Sequence, residues 1–282
     1  MPAWRLLVTE PSDGAWNMAV DEALLRSRLA GGGAPTVRFF AWEPPAISLG
    51  YGQALDRGIN LSLAARLGIG LVRRPTGGSA VYHDTREREV TYSVVAASGD
   101  HAGFDDLLET YRLIGSALVL GLQRLAVPAD LVPVGRLRGS VPAFCFARTG
   151  SYEVEVAGKK IIGSAQRRQG GAFLQHGSIL LGADARRLRA LFPGRDPLGG
   201  LITIESILGG RPSFSETIQA MISGFEGLLG TNLLPGKLEE DDLQLAARLV
   251  VEKYRTRAWT ARGQLPPELA ADFRPRVSAQ SW

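Results

Sequence analysis

Cysteine is almost absent from this sequence: Cys145 is the only one in 282 residues. That excludes an internal disulfide and a cysteine-based zinc cluster. Histidine is nearly as scarce, and His83, His101 and His176 match no zinc-binding spacing. No metal is expected. No apolar run approaches the roughly 18 residues that cross a bilayer. The first fourteen residues carry Arg5, Glu10 and Asp13 and lack the apolar centre of a signal peptide. The expectation is a cytoplasmic chain without membrane contact. Runs of five or six like charges are also missing, so the net charge of +4 indicates no nucleic-acid arm. A Walker A loop, a Gly-x-Gly-x-x-Gly fingerprint and a Gly-x-Ser-x-Gly elbow are absent as well.

Lysine is the last scarcity. Of 32 basic residues only Lys159, Lys160, Lys237 and Lys253 are lysines. Arginine stays protonated, whereas a buried lysine exchanges a proton, so a lysine here marks either a place where arginine does not serve or a hairpin that simply tolerates it. What the chain has in excess is glycine and proline, 34 and 16 residues, which point to many turns.

Apolar spacing predicts strands at residues 4–9, 36–42, 46–51, 71–74, 80–83 and 90–96, and helices at 15–29, 60–67 and 104–125. Residues 152–156, 159–168 and 173–181 read as three strands joined by turns at Gly158 and Gly170-Gly171. Helices follow at 185–191, 203–208, 215–229 and 239–254. Strands dominate before residue 181 and helices after it, which argues for an α+β fold. Residues 1–254 read as one domain ending in a helical segment, with 255–282 an irregular tail.

Four segments carry candidate chemistry. Arg73-Arg74-Pro75-Thr76-Gly77-Gly78-Ser79 precedes Ala80 to Asp84, and paired glycines let a backbone approach a ligand closely. Cys145 lies between Phe144 and Phe146. Such a cysteine is commonly a small buried hydrophobe, and a nucleophile needs a neighbouring cation to ionise it. In Gly158-Lys159-Lys160-Ile161-Ile162-Gly163-Ser164-Ala165-Gln166, the strand period puts Lys160, Ile162, Ser164 and Gln166 on one face as a site floor, with Gly163 and Ala165 behind. Gln175-His176-Gly177-Ser178 places a histidine in an apolar strand, where a hydrogen-bonded structural role is the common one.

In this order the segments resemble the lipoate–biotin attachment superfamily (biotin/lipoyl protein ligases), and within it the octanoyltransferase branch. Residues 16–25, Arg38-Phe39-Phe40, Trp42, Pro44-Pro45 and Ser48 to Tyr51 look like that family's first helix and next strands. The likeness spans about residues 4 to 181. Ser79 departs from the glycine or arginine common there, and residues 85–89 make a longer connection than usual. The resemblance implies a mixed, largely antiparallel β-sheet core flanked by helices. It also implies octanoyl transfer from octanoyl-acyl carrier protein to a lysine of a lipoyl-domain protein such as the glycine cleavage H protein, by a monomer without cofactor. Cys145 would carry the acyl group as a thioester, and Lys160 would lower the thiol pKa and move protons. Arg73, Gly77, Gly78, Ser79, His83, Gly163, Ser164, Gln166 and His176 would bind substrate. Amides near Gly77-Gly78 or of Lys160 would hold the oxyanion. Thioester to amide runs downhill and needs no ATP. The competing readings are an ATP-dependent lipoate ligase, an octanoyl amidotransferase between lipoyl domains, and a non-catalytic acyl carrier.

Overall fold

The structure is a computed structural model that describes residues 3–55, 58–133, 152–194 and 196–262. β1 (Trp4–Val8) leads into α1 (Gly14–Leu29), where the Asp13 carboxylate caps the helix by accepting from the Trp16 amide at 2.7 Å. β2 (Thr36–Phe40), β3 (Ala46–Leu49), α2 (Leu61–Arg66), β4 (Gly70–Arg73), β5 (Val81–His83) and β6 (Glu89–Ala97) follow. Next come α3 (Leu107–Arg124), β7 (Asp130–Pro133), β8 (Tyr152–Val156), β9 (Lys159–Gln169) and β10 (Ala172–Leu180). The helical part contains α4 (Ala185–Leu191), α5 (Ile204–Leu208), α6 (Phe214–Leu229), β11 (Leu233–Pro235) and α7 (Glu240–Leu249). A π-helical turn (Val250–Tyr254) then leads to α8 (Arg257–Arg262).

Eight strands form one sheet in the order β11-β1-β2-β6-β10-β9-β8-β7. β1 runs parallel to β2 and β11; the other neighbours are antiparallel. Side chains alternate across it. Val37, Phe39, Tyr92, Val94 and Phe173 pack against α3 and α6. Phe40, Val95 and Leu174 face α1, which α7, Tyr254 and Trp259 cover from outside. A small sheet, β4-β3-β5, is filled from behind by Ile59, Ala64, Leu191 and Phe192. The mixed, mostly antiparallel sheet flanked by helices is the α+β arrangement read from the sequence. Among the described residues no helix is long and apolar enough to cross a membrane.

Three differences have physical causes. The helix expected at 104–125 starts at Leu107, because the Asp106 carboxylate accepts from the Glu109 amide; Phe104 instead meets Trp4 and Phe173 edge-on. β7 and β11, 4 and 3 residues long and each ending in proline, are too short to show a strand period, and neighbouring strands supply their pairing. The expected irregular tail is corrected at its start. Residues 257–262 are helical because Trp259 is fully buried and its indole donates to the Arg73 carbonyl at 2.8 Å. The rest of that tail lies outside the described residues.

Candidate active site

Two adjoining cavities occupy the α1 side of the large sheet, where it meets the small one. The first lies over Gly163, Ala165 and Gly177 and is walled by Met18, Trp42, Ser48, Arg74, Val81, His83 and His176. The second runs toward Tyr82, Leu188, Phe192 and Leu201 and reaches Lys160. Val81, Gly163 and Ser178 line both. Gly163 and Ala165 leave the room on this face; at Gly177 a Cβ would point the other way, meeting the Tyr92 ring at 2.8 Å and the Ser164 hydroxyl at 3.0 Å.

The turn after β4 is held from beneath. The Arg74 guanidinium donates to the carbonyls of Gly77 (2.6 Å), Ser79 (2.8 Å) and Ser48 (3.1 Å). Gly78 has φ +93°, and its carbonyl packs on Gly50, where a Cβ would sit 1.8 Å from that oxygen. Among the described residues nothing accepts from the Gly77 and Gly78 amides, so they remain available to a ligand oxygen. The Thr76 hydroxyl bonds His176 Nε2 at 2.6 Å, and His176 Nδ1 bonds the Asp21 carboxylate at 3.0 Å. Burial holds the imidazole pKa below its usual value, with Asp21 opposing. Burial would raise the Asp21 carboxyl, but His176 and Arg38 outweigh it and hold it below the usual range. A neutral imidazole therefore bridges an anion and the turn. His83 stacks on Trp42 at 3.9 Å, with Glu89 on Nδ1 (2.7 Å) and Ser48 on Nε2 (2.8 Å).

Lys160 stands at the start of β9, 8% exposed, and its ammonium forms an ion pair with Glu153 of β8. Its amide donates to the Gly200 carbonyl at 2.9 Å, and its carbonyl accepts from Ile202 at 2.9 Å. The Lys160 amide is thus engaged, which leaves the Gly77-Gly78 pair as the oxyanion candidate.

The structure gathers His83, Gly163, His176 and the backbone wall at Ser164 around the first cavity, with Lys160 at the second. It corrects other expectations. Arg73 lines neither cavity: its guanidinium donates to the carbonyls of Gly50, Tyr51, Gln53, Trp259 and Thr260. Gly77, Gly78 and Ser79 form the turn above the site and not its lining. The expected polar floor is overturned. β9 pairs Ile162 with Val154 but Lys160 with Glu155, so an extra residue, Ile161, shifts the side-chain period. Lys160 therefore parts from Ile162, Ser164 and Gln166. The Ser164 hydroxyl bonds the Tyr92 hydroxyl at 2.7 Å, and Gln166 donates to Gln175 at 2.9 Å, on the face toward α3. The small residues are the floor. Cys145 lies outside the described residues. Sequence reasoning missed Glu153, which lies in a segment read only as a strand, and Asp21, hidden within a helix. It also missed Arg74, whose pairing with Arg73 was its only signal.

Residues 13–226 match the profile of the lipoyl protein ligase A/B catalytic domain. The chain belongs to the lipoyl protein ligase A/B catalytic-domain family. Within that family it is similar to octanoyltransferase LipM of Kyrpidia tusciae, 40% identical over 277 residues, with 93% of this chain and 100% of that one covered. It is likewise similar to octanoyltransferase LipM of Brevibacillus brevis, at 39% over 279 residues, 93% of this chain and 100% of that one. Among solved structures, a lipoate-protein ligase A bound with ATP superposes at TM-score 0.78 with 28% identity, covering 93% of this chain and 99% of that one. A lipoate protein ligase from T. acidophilum with bound lipoic acid gives 0.76 and 28%, over 93% and 99%. These lipoate-protein ligases thus share the fold of this chain.

Proposed function

We propose that the chain is an octanoyltransferase of lipoate biosynthesis, moving octanoyl from octanoyl-acyl carrier protein to a lysine of a lipoyl-domain protein such as the glycine cleavage H protein. The observation that carries this reading is the junction of two cavities beside a buried lysine. One is an apolar chamber fit for an acyl chain, and the other brings that chamber to Lys160. The near-complete likeness to octanoyltransferases at 39–40% identity supports it, against 28% for the ligases. An eight-carbon chain gains roughly 0.8 kcal/mol per buried CH₂, several kcal/mol in all.

The Cys145 thiolate attacks the thioester carbonyl, and the bond to the pantetheine sulfur breaks. That sulfur leaves with a proton from the Lys160 ammonium. The acceptor amine then attacks the acyl-cysteine, its surplus proton returns to Lys160, and Cys145 departs as thiolate. The role of oxyanion donor falls to the Gly77 and Gly78 amides, which donate to nothing among the described residues. His83, Gly163, Ser164 and His176 shape the acyl chamber. Arg73 and Gln166 support it from outside.

Intact-mass measurement after mixing with octanoyl carrier protein, without ATP, tests the reading. The expected result is an octanoyl adduct that Cys145→Ala abolishes. Adduct formation by the alanine variant overturns Cys145 as the nucleophile, and a requirement for free lipoate and ATP overturns the transferase in favour of a ligase.

A further inference from the structure

The Lys160 ammonium does not face the cavity alone. It is ion-paired with the Glu153 carboxylate, and the two side chains are 9% and 12% exposed. Surface pairs between neighbouring strands are solvated and contribute little. This one is nearly dry and borders the cavity. The displaced side-chain period in β9 makes it possible. Glu155 is the register partner of Lys160, and Glu153 stands two residues back on the same face of β8. The Lys160 backbone is fixed on both sides by Gly200 and Ile202. Only the length of its side chain remains adjustable, and a carboxylate holds the far end.

We propose that Glu153 is the positioning residue of the reaction, holding the Lys160 ammonium at the end of the second cavity and keeping it charged until it protonates the leaving sulfur. The inference rests on the proton-transfer role given to Lys160 above. Once Lys160 has given up its proton, the Glu153 anion favours recapture from the incoming amine, so the lysine is reset for the next cycle.

The other groups around the pair do not replace Glu153. Glu155, directly opposite Lys160 on β8, also feels its charge, but the carboxylate at ion-pair distance is that of Glu153. From the rest of the cavity come Asp84, Arg88 and Glu89. Asp84 is in contact with Arg88 and Arg187, and Glu89 holds His83. The Tyr92 and Tyr111 phenols, from β6 and α3, are pushed up by burial and further by the Glu153 charge. Lys159 points to solvent. Burial raises the Glu153 carboxyl above its usual value, and the Lys160 charge offsets only part of that rise, so the assignment stands on the contact between the two side chains.

Acyl-enzyme formation, followed in single turnovers from neutral to alkaline pH, tests the assignment with Glu153→Gln, Glu153→Asp and Lys160→Ala. Removing the anion leaves a buried ammonium unsupported. In Glu153→Gln the alkaline limb is expected to fall by about one pH unit or more, with about a tenfold loss at neutral pH. Glu153→Asp recovers part of both. Amine labelling of Lys160 read by mass spectrometry is expected to begin at lower pH in Glu153→Gln. This readout needs no turnover and is also made in Glu153→Asp, should the glutamine variant not fold. An unmoved pH profile and labelling onset in folded Glu153 variants, with Lys160→Ala inactive, overturns the positioning role and leaves the transferase standing. Full activity of Lys160→Ala overturns the reading of Lys160 itself.

Discussion

Two adjacent arginines do different work in this molecule. Arg73 ties the strand end to the C-terminal segment through the carbonyls of Trp259 and Thr260, whereas Arg74 spans Ser48, Gly77 and Ser79 beneath the turn. A lysine ammonium cannot span the positions a planar guanidinium reaches. Arg74→Lys is therefore expected to lower kcat/KM for the acyl donor by about tenfold or more, since hydrogen bonds to charged groups contribute about 1.5–3 kcal/mol each. Arg73→Lys is expected to lower the denaturation midpoint first. His176 adds a pH dependence of stability. Its native imidazole is held neutral by burial, while the unfolded chain protonates near pH 6.5, so below that pH the unfolded state binds more protons. Stability contributed by His176 is present above pH ~6.5 and lost as pH falls toward the depressed native pKa. Urea unfolding at mildly acidic and neutral pH checks this: the wild-type advantage over His176→Asn should narrow on acidification.

Between elements, glycines set the spacing. A Cβ on Gly224 of α6 would lie 2.2 Å from the Ala117 carbonyl of α3, so the two helices cross nearly backbone to backbone. Gly224→Ala is expected to cost about 1–3 kcal/mol, seen as a lower urea midpoint at unchanged m-value. Gly50→Ala strikes the turn over the cavity. Its Cβ would overlap the Gly78 carbonyl, so the expected outcome is loss of acyl-enzyme formation together with a lower melting temperature. These contacts are absent from any local pattern. Glycine marked turns correctly at Gly158, Gly170 and Gly171, where φ is positive, but Gly50 and Gly224 matter for what lies opposite them.

At the scale of the whole molecule, the last described residues reach back to the site. Lys253, fully buried, meets the Glu22 carboxylate at 2.5 Å and stacks 3.9 Å from the Trp259 ring centroid. Burial pulls its pKa down to about 8, with Glu22 opposing. Trp259 in turn anchors Arg73, and Arg73 holds the carbonyls of Gly50 and Tyr51 beside the turn. Trp259→Ala is expected to cost about 3–5 kcal/mol and to weaken acyl-enzyme formation together with stability. Denaturant unfolding alongside the mass assay checks both. A stability loss with full activity would show that the C-terminal segment does not support the turn.

By itself the sequence determined the strands and helices with strong apolar period, the α+β order, and the motif series that places the chain in its family. Those features depend on residues near one another along the chain. Tertiary structure alone decided which of two arginines supports the acyl turn, that Asp21 orients His176 from 155 positions away, and that Glu153 meets Lys160. One extra residue in β9 reverses the face of Lys160, and strand periodicity read in one dimension carries no record of its partner's register. Burial and charge pairing are properties of neighbours in space, so they emerge only when the sheet is assembled.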